Sequence, residues 1–404
     1  MGLNAISTAY CRTYQAVMRQ AVKILPWRKP ECLKGAGSVK KLAAFIKEKG
    51  LKKPLIVTDK GLLSLGLVDS LFDSIKENGY DYVLFDGVVP NPTTDNIEAA
   101  YAMYTENECD CIIAFGGGSS MDCAKICGAR VVNPNKSAAQ MRGILKVRKS
   151  LPPFFAIPTT AGTGSETTIA AVISDGKTHE KYTIMDPNIL PNYAVLDPEL
   201  TVGLPPSITS ATGMDALTHA VEAYIGKSNT AETRQNAIEA TKMIFEYLPR
   251  VMKDGKDIEA REEMLQASFY AGVAFTRAYV GYIHAIAHAI GGVYGYPHGL
   301  ACTVVMPYVL EYYGESCKYQ LADLADAVGI EGACEVCKAQ NFIAAIRKMN
   351  SDFGMPEGFD KLEEKDFDTI ISRVLKEGNP LYPVPKLMGA DDVRGILEKL
   401  MVKR

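Results

Sequence analysis

The chain has 404 residues, 47% apolar and 23% charged, with a formal net charge of −3. That length exceeds one ordinary core and predicts two domains. The dispersed charges exclude a nucleic-acid footprint, and the lack of any uninterrupted apolar run of about 18 residues excludes a membrane span.

The first 26 residues stand apart. They contain no acid but carry Arg12, Arg19 and Lys23. Ile6, Tyr10, Tyr14, Val17, Met18, Ala21 and Leu25 share one helical face, which predicts a helical arm over 1–29 packed on the body or on a second subunit. A membrane-surface or targeting helix is the alternative. The apolar positions are periodic, which speaks against a secretory signal, and Ile6 breaks the myristoylation pattern. Removal of residues 1–26 is therefore expected to weaken assembly or localisation and to spare turnover. Trp27 is read as packing the arm against the body.

From about 38 to 205, short apolar strands alternate with helical patterns. LIVTD (55–59), YVLFDG (82–87), CIIAFGGG (111–118) and FFAIPTT (154–160) read as strands, with helical patterns over 61–78, 94–107 and 119–130. This alternation predicts an α/β domain over 30–205 with a parallel, Rossmann-like sheet.

Two stretches in this region suggest a nucleotide. In CIIAFGGGSSMDCAK (111–125), a strand runs through three glycines into a helix. Backbone N–H groups at Gly117, Gly118 and Ser119 could cradle a pyrophosphate at the helix N-terminus. The loop is not GxGxxG, and a plain structural turn fits it nearly as well. PTTAGTGSETT (158–168) follows a strand and is rich in hydroxyls, where ligands approach an open sheet. Asp59 closes LIVTD. It could accept a ribose 2′-OH and repel a 2′-phosphate, favouring NAD, or it could simply cap a helix. His179, in DGKTHEK, reads as a loop residue.

After Pro205-Pro206 the strand patterns nearly vanish, which predicts an all-α domain over 206–404 with a helix start at the prolines. ATGMDALTHAVEAYIG (211–226) reads as a helix ended by Gly226, with Asp215 and His219 four apart on one face. His284 and His288 repeat that spacing on an apolar helix over 270–290, which Gly291 and Gly292 stop. The loop VYGYP then returns His298. Four of the chain's five histidines lie in these segments, and an apolar setting is a costly place for an unpartnered imidazole. Asp215, His219, His284 and His298 would make an N3O metal site. Glu222 reads as an exposed helix charge, with orientation of a ligand as the lesser alternative. The ten cysteines are scattered, and all read as reduced packing residues, including the lone CxxC at Cys334 and Cys337. They predict a cytoplasmic setting.

GGGSSMDCAK, PTTAGTGSE, GMDALTHAVEAY and HAIAHAIGGVYGYPHG occur in this order. Together they resemble the iron-dependent (group III) alcohol dehydrogenases, over roughly residues 30–400. The resemblance implies an N-terminal dinucleotide domain, an all-helical metal domain and a homodimer. It makes Asp215, His219, His284 and His298 the metal ligands and places His288 near the nicotinamide as a proton carrier. Asp59, Asn91, Gly117, Gly118, Ser119, Asp122, Thr159, Thr160, Thr163 and Lys181 match cofactor-contact positions. FTRA (275–278) departs from the FSNA of many members at Arg277. The residues alone accept several divalent ions, with intrinsic affinity favouring Zn²⁺; Fe²⁺ enters through the resemblance.

The expected activity is NAD(H)-dependent interconversion of short primary alcohols or diols and aldehydes. A polyol oxidation of the glycerol dehydrogenase type is one rival. A metal- and NAD-using lyase of the dehydroquinate synthase type is another, but it needs a basic cluster, and only Arg277 stands beside the metal motifs. A non-enzymatic metal-binding protein fits the intact glycine loop poorly.

Overall fold

The structure is a computed structural model that describes residues 3–24, 27–178 and 180–402. Leu25 of the arm's apolar face and the loop residue His179 lie outside the described residues. The chain divides into two compact units.

The first unit holds a six-stranded sheet: β1 (Glu31–Lys34), β2 (Pro54–Val57), β3 (Val83–Phe85), β4 (Cys111–Gly116), β5 (Phe154–Pro158) and β6 (Tyr193–Leu196). Their order across the sheet is β1-β6-β5-β4-β2-β3, and every pairing is parallel. Side chains alternate between the faces. Ile112 and Ala114 of β4 join one apolar cluster with Leu55 and Val57, while Cys111, Ile113 and Phe115 join the opposite cluster with Ile56 and Phe155. Burial on both faces is what gives these strands their nearly continuous apolar sequence.

The sequence reading missed β1 and β6. ECLK and YAVL are only four residues long and lack a period that separates them from loop. The expected helix over 61–78 is two helices, Lys60–Ser64 and Asp69–Glu77, separated at Gly66, whose φ is +68°. A small second sheet of Gly143–Ile144, Ala170–Ser174 and Lys181–Met185 was also missed.

The first unit ends at Leu204 but also includes Gly255–Gly272. Glycines allow that late segment its close approach. A Cβ on Gly164 would stand 2.8 Å from the Gly272 Cα, and one on Gly272 would stand 2.1 Å from Thr167 Oγ1.

The second unit is helical. Its helices include Pro206–Ile225, Ala231–Lys253, Tyr282–Tyr294, His298–Tyr313, Glu335–Asp352 and Phe367–Gly378. Among the described residues, no helix is long and apolar enough to cross a membrane.

The arm helix Ala5–Ile24 belongs to this second unit, and within the chain it is not held through the apolar face. Its buried residues are Cys11, Gln15 and Val22, while Ile6, Tyr10 and Val17 are 83%, 61% and 62% exposed. Polar demand explains the choice. The segment it covers contains Pro380, Pro383 and Pro385, and prolines cannot join a regular ladder. Backbone N–H groups reach only some carbonyls there, Val384 to Tyr382 and Lys227 to Pro383, and the arm adds side-chain donors: Gln15 donates to Pro380 and Tyr382, and Arg12 to Val384 and Pro385.

Not every cysteine is a packing residue. Cys11, Cys109, Cys111, Cys123, Cys127, Cys302 and Cys317 are buried, but Cys334 is exposed and Cys32 and Cys337 are only partly covered.

Candidate active site

The glycine loop lies in the first unit, where β4 passes into helix Gly118–Val132. Gly116 takes φ +146°, and a Cβ there would lie 2.5 Å from Ser120 Oγ, so only glycine fits. Gly117 and Gly118 are closed over by the hydroxyl loop: Cβ atoms on them would meet Thr160 Oγ1 at 3.6 Å and Thr163 Cγ2 at 3.3 Å. Thr159 donates its N–H to Gly116 O at 3.2 Å. Gly117, Gly118, Ser119, Thr159, Thr160 and Thr163 are thus brought together at one strand end.

Asn91 joins them, donating its N–H to Ser119 Oγ at 3.3 Å and accepting Lys181 Nζ at 2.8 Å. Asp122 is engaged internally. It accepts the Ser165 hydroxyl at 3.0 Å and the Val172 N–H at 2.8 Å. Asp59 does cap a helix, its Oδ1 accepting the Leu62 N–H at 3.0 Å; its other oxygen is not used in that cap.

Beneath the loop, Lys125 is fully buried. Its ammonium donates to Ser165 Oγ, Thr168 O, Thr168 Oγ1 and Ala170 O at 2.7–3.1 Å. Burial pushes the nearby Glu166 carboxyl up to about 7, against the pull of a backbone N–H and Lys125. The folded state therefore keeps a proton that the unfolded chain releases near its ordinary value of 4.5. This contribution to stability is fully present below that value and is lost as pH rises through about 7, by at most about 3 kcal/mol. Glu166→Gln is expected to remove this loss. Urea unfolding at about pH 5 and pH 8 checks it, since the advantage of the variant should grow with pH.

The histidine cluster lies in the second unit. Asp215 projects from helix Pro206–Ile225, His284 and His288 from Tyr282–Tyr294, and His298 opens His298–Tyr313. The expected helix over 270–290 is in fact two, Ile258–Ala278 and Tyr282–Tyr294, broken at Tyr279, whose φ is +67°. Nor do Gly291 and Gly292 stop the second one. It runs to Tyr294 and ends at Gly295 in the left-handed conformation.

Glu222 holds this break together, and its reading as an exposed charge is corrected. It is 3% exposed. It accepts the N–H groups of Gly281 and Ile283, each at 2.8 Å, and meets His284 Nδ1 at 2.6 Å. The Glu222 carboxyl, pushed up to about 8 by burial against the pull of these N–H groups, thus caps the new helix and fixes the His284 ring. A Cβ on Gly281 would stand 2.8 Å from Glu222 Oε1, so the approach requires glycine. Burial pushes the His284 imidazole down to about 3, which keeps it neutral. With the proton on Nδ1 facing Glu222, the Nε2 lone pair points into the cluster.

There His284 Nε2 stands 3.9 Å from Asp215 Oδ1, and His298 Nε2 stands 3.5 Å from the same oxygen. Both Asp215 Oδ1 and His284 Nε2 are buried without a hydrogen-bond partner. Two such atoms facing each other are what a cation would satisfy. One donor of each of Asp215, His284, His298 and Cys302 lies within 4.8 Å of the others. Cys302 was not anticipated, although it follows His298 by four residues on one helix face. Burial, with Asp215 beside it, pushes its thiol well above the usual range. His219 is adjacent but outside that group. Its ring stacks on His284 at 4.5 Å and on Phe275 at 4.1 Å.

A close helix crossing delivers His298. A Cβ on Gly299 would lie 2.5 Å from the Ala211 carbonyl oxygen. Gly299→Ala is expected to part the two helices, costing about 1–3 kcal/mol and weakening metal retention. Thermal unfolding and metal content per chain check this.

His288 is half-exposed. Its ring stacks on His298 at 5.0 Å, and its Nδ1 meets Glu377 Oε1 at 2.7 Å. Burial alone would raise the Glu377 carboxyl, but His288 and the Tyr382 hydroxyl outweigh it and hold it below its ordinary value.

Comparison with known proteins decides the family. Residues 30–198 match the iron-containing alcohol dehydrogenase profile, and residues 209–401 match that family's C-terminal profile. The chain belongs to the iron-containing alcohol dehydrogenase family. It is 40% identical over 375 residues to the NAD-dependent methanol dehydrogenase of Bacillus methanolicus, covering 92% of this chain and 98% of that one. It is also 40% identical to the 1,3-propanediol dehydrogenase of Klebsiella pneumoniae, over 82% of this chain and 87% of that one. A solved 1,3-propanediol oxidoreductase superposes with TM-score 0.90 at 36% identity, covering 94% of this chain and all of the other. The chain is accordingly an oxidoreductase that interconverts alcohols and aldehydes.

Proposed function

We propose that this alcohol dehydrogenase reduces short aldehydes, and oxidises short primary alcohols or diols, with NAD(H) and a divalent ion held by Asp215, His219, His284 and His298. The observation that carries this reading is the pair of buried, unpartnered atoms, Asp215 Oδ1 and His284 Nε2, that face each other beside His298. In this reading, residues 30–205 form the dinucleotide domain, 206–404 the metal-binding catalytic domain and 1–29 the arm.

When bound, the ion supplies Lewis-acid polarisation of the substrate oxygen, and the nicotinamide takes or gives the hydride. The protein's own residues do the rest. Glu222 sets the His284 tautomer through the Nδ1 contact. His288 carries the substrate proton toward solvent, with Glu377 fixing its ring. Backbone N–H groups at Gly117, Gly118 and Ser119 receive the pyrophosphate, with Thr159, Thr160, Thr163, Asn91 and Lys181 around it. Asp122 acts through the loop it braces. Asp59 accepts the ribose hydroxyls and disfavours a 2′-phosphate.

Iron is proposed on the family's name, with zinc as the competitor that imidazole donors and intrinsic affinity favour. A homodimer is proposed on the family resemblance, and a cytoplasmic setting on the free cysteines. The lyase alternative loses support because Arg277 directs Nη1 to Glu232 at 2.6 Å.

The test is NADH oxidation with propanal by metal-stripped protein reconstituted separately with Fe(II) and Zn(II), with NADPH in parallel. Metal-dependent turnover with NADH is expected. NADH binding without turnover under either ion would overturn the reading.

A further inference from the structure

We infer that the arm helix is a positioning element of the active site, acting through Arg12 and Gln15 on the segment that orients His288. The inference rests on the proposed role of His288. It reverses the expectation that the arm is dispensable for turnover, and the arm precedes the family match, which begins at residue 30.

The contacts form one continuous chain. Gln15 Nε2 donates to Tyr382 O at 2.7 Å and Pro380 O at 3.1 Å. Arg12 donates to Val384 O at 2.7 Å and Pro385 O at 3.0 Å, and its Nη1 also holds Gln15 Oε1 at 2.9 Å. The backbone held in this way carries Tyr382, whose hydroxyl donates to Glu377 Oε1 at 2.8 Å. That same oxygen meets His288 Nδ1 at 2.7 Å.

The rest of the segment is braced by Tyr282. Its hydroxyl donates to Asn379 Oδ1 at 2.6 Å and accepts the Met388 N–H at 3.1 Å. Between these anchors the backbone bonds Tyr382 N–H to Gly378 O and Val384 N–H to Tyr382 O, and the arm adds side-chain donors to the carbonyls of Pro380, Tyr382, Val384 and Pro385. Without them, four carbonyls lose their side-chain partners and the Tyr382–Glu377–His288 geometry loosens. Misplacement of a proton-transfer group slows turnover more than it weakens binding.

The experiment compares the full-length enzyme with Arg12→Ala/Gln15→Ala, Tyr382→Phe, their combination, and Tyr10→Ala on the exposed arm face. Three quantities are read: kcat and KM for aldehyde reduction, thermal unfolding, and hydrogen exchange of residues 377–388 without substrate. The arm variant is expected to exchange faster at 377–388 and to lose roughly 10-fold in kcat, part of the 10²–10⁴ that a positioned acid–base group supplies, with KM little changed. Tyr382→Phe should lower kcat similarly, and the combination should fall short of the product of the two effects, as members of one chain do. Arg12→Lys should recover part of the loss, and Tyr10→Ala should match the unmodified enzyme.

Faster exchange with kcat intact would overturn the inference, as would unchanged exchange. Multiplicative effects in the combination would do the same. If the arm variant does not fold, an unchanged kcat in Tyr382→Phe still overturns it. Absence of turnover in the unmodified enzyme would sink the proposed function and this inference together, whereas a failure confined to the variants sinks only the inference.

A separate observation concerns Cys334 and Cys337. Cys334 caps the 18-residue helix Glu335–Asp352, its Sγ accepts the Cys337 N–H at 3.3 Å, and the two Sγ atoms are 2.6 Å apart. We propose that this pair is a reversible dithiol–disulfide site for small-molecule disulfides. The Cys334 thiolate attacks one sulfur of the disulfide and releases one thiol. Cys337 then attacks Cys334 Sγ and releases the second. The protein gives up two protons and two electrons, and the small disulfide takes them up.

The hydrogen bond from Cys337 lowers the Cys334 thiol below its ordinary value, as an attacking group requires. The test exposes the native enzyme to oxidised glutathione and maps the 334–337 peptide by mass. An internal disulfide that a dithiol reverses is expected, with Cys337→Ser stopping at a mixed disulfide on Cys334. Two unmodified thiols, or a persistent mixed disulfide in the unmodified chain, would overturn the proposal.

Discussion

Replacing His284 by alanine lowers kcat/KM for aldehyde reduction by about 10³-fold and leaves the protein unable to retain its metal. A bound ion contributes several kcal/mol of charge stabilisation, and ~4 kcal/mol corresponds to that factor. His284 is chosen over His298 because it is 2% exposed and its Nε2 has no other partner. The truncation also strips Glu222 of a hydrogen-bond partner, so thermal unfolding must accompany the kinetics. Steady-state rates and metal content per chain check the prediction. A folded variant that keeps its full metal content and most of its activity would remove His284 from the ligand set.

Glu222→Ala is the second large effect. The carboxylate serves the Gly281 and Ile283 N–H groups and the His284 ring at once. Losing the ring contact is expected to weaken metal binding by about 10–100-fold. Losing the cap leaves two buried donors unmade, costing about 1–3 kcal/mol for each. Glu222→Gln does not rescue the site, because an amide N–H₂ would then face a donor. A chelator competition for the metal, together with urea unfolding, separates the two losses. Unchanged metal affinity in a destabilised protein would confine Glu222 to a structural role.

Much of this was legible in the sequence because chemistry and spacing coincide there. Strands buried on both faces announce themselves as apolar runs, and the glycines before Ser119 mark the strand-to-helix turn. Asp215 and His284 could be found because ionisable groups are rare in apolar helices.

The remainder depends on which helix lies beside which. Glu222 looks like a surface charge on its own helix, and only the neighbouring break at 279–281 gives it two N–H groups and a ring to serve. That break was hidden because Tyr279 and Gly281 interrupt an otherwise continuous apolar pattern. Cys302 follows His298 by a helical turn, yet a lone cysteine among ten carries no signal until Asp215 is placed beside it. In the arm, periodicity identified a helix, but not which of its residues meet the rest of the chain: Cys11, Gln15 and Val22 are buried while Ile6, Tyr10 and Val17 stay exposed. Hydrophobic patterning cannot foresee that a proline-rich segment needs the donors of Arg12 and Gln15.

The position of Asp59 bears on how this enzyme could be re-engineered. One carboxylate oxygen starts helix Lys60–Ser64 by accepting the Leu62 N–H, and the same side chain is proposed to discriminate between nucleotides. A redesign for the phosphorylated cofactor must remove the negative charge without removing the acceptor. Alanine would forfeit about 1 kcal/mol of capping, whereas serine keeps an oxygen for the helix and leaves room for a phosphate. The route to altered coenzyme preference therefore passes through the short polar residues, and libraries at this position can be restricted to them.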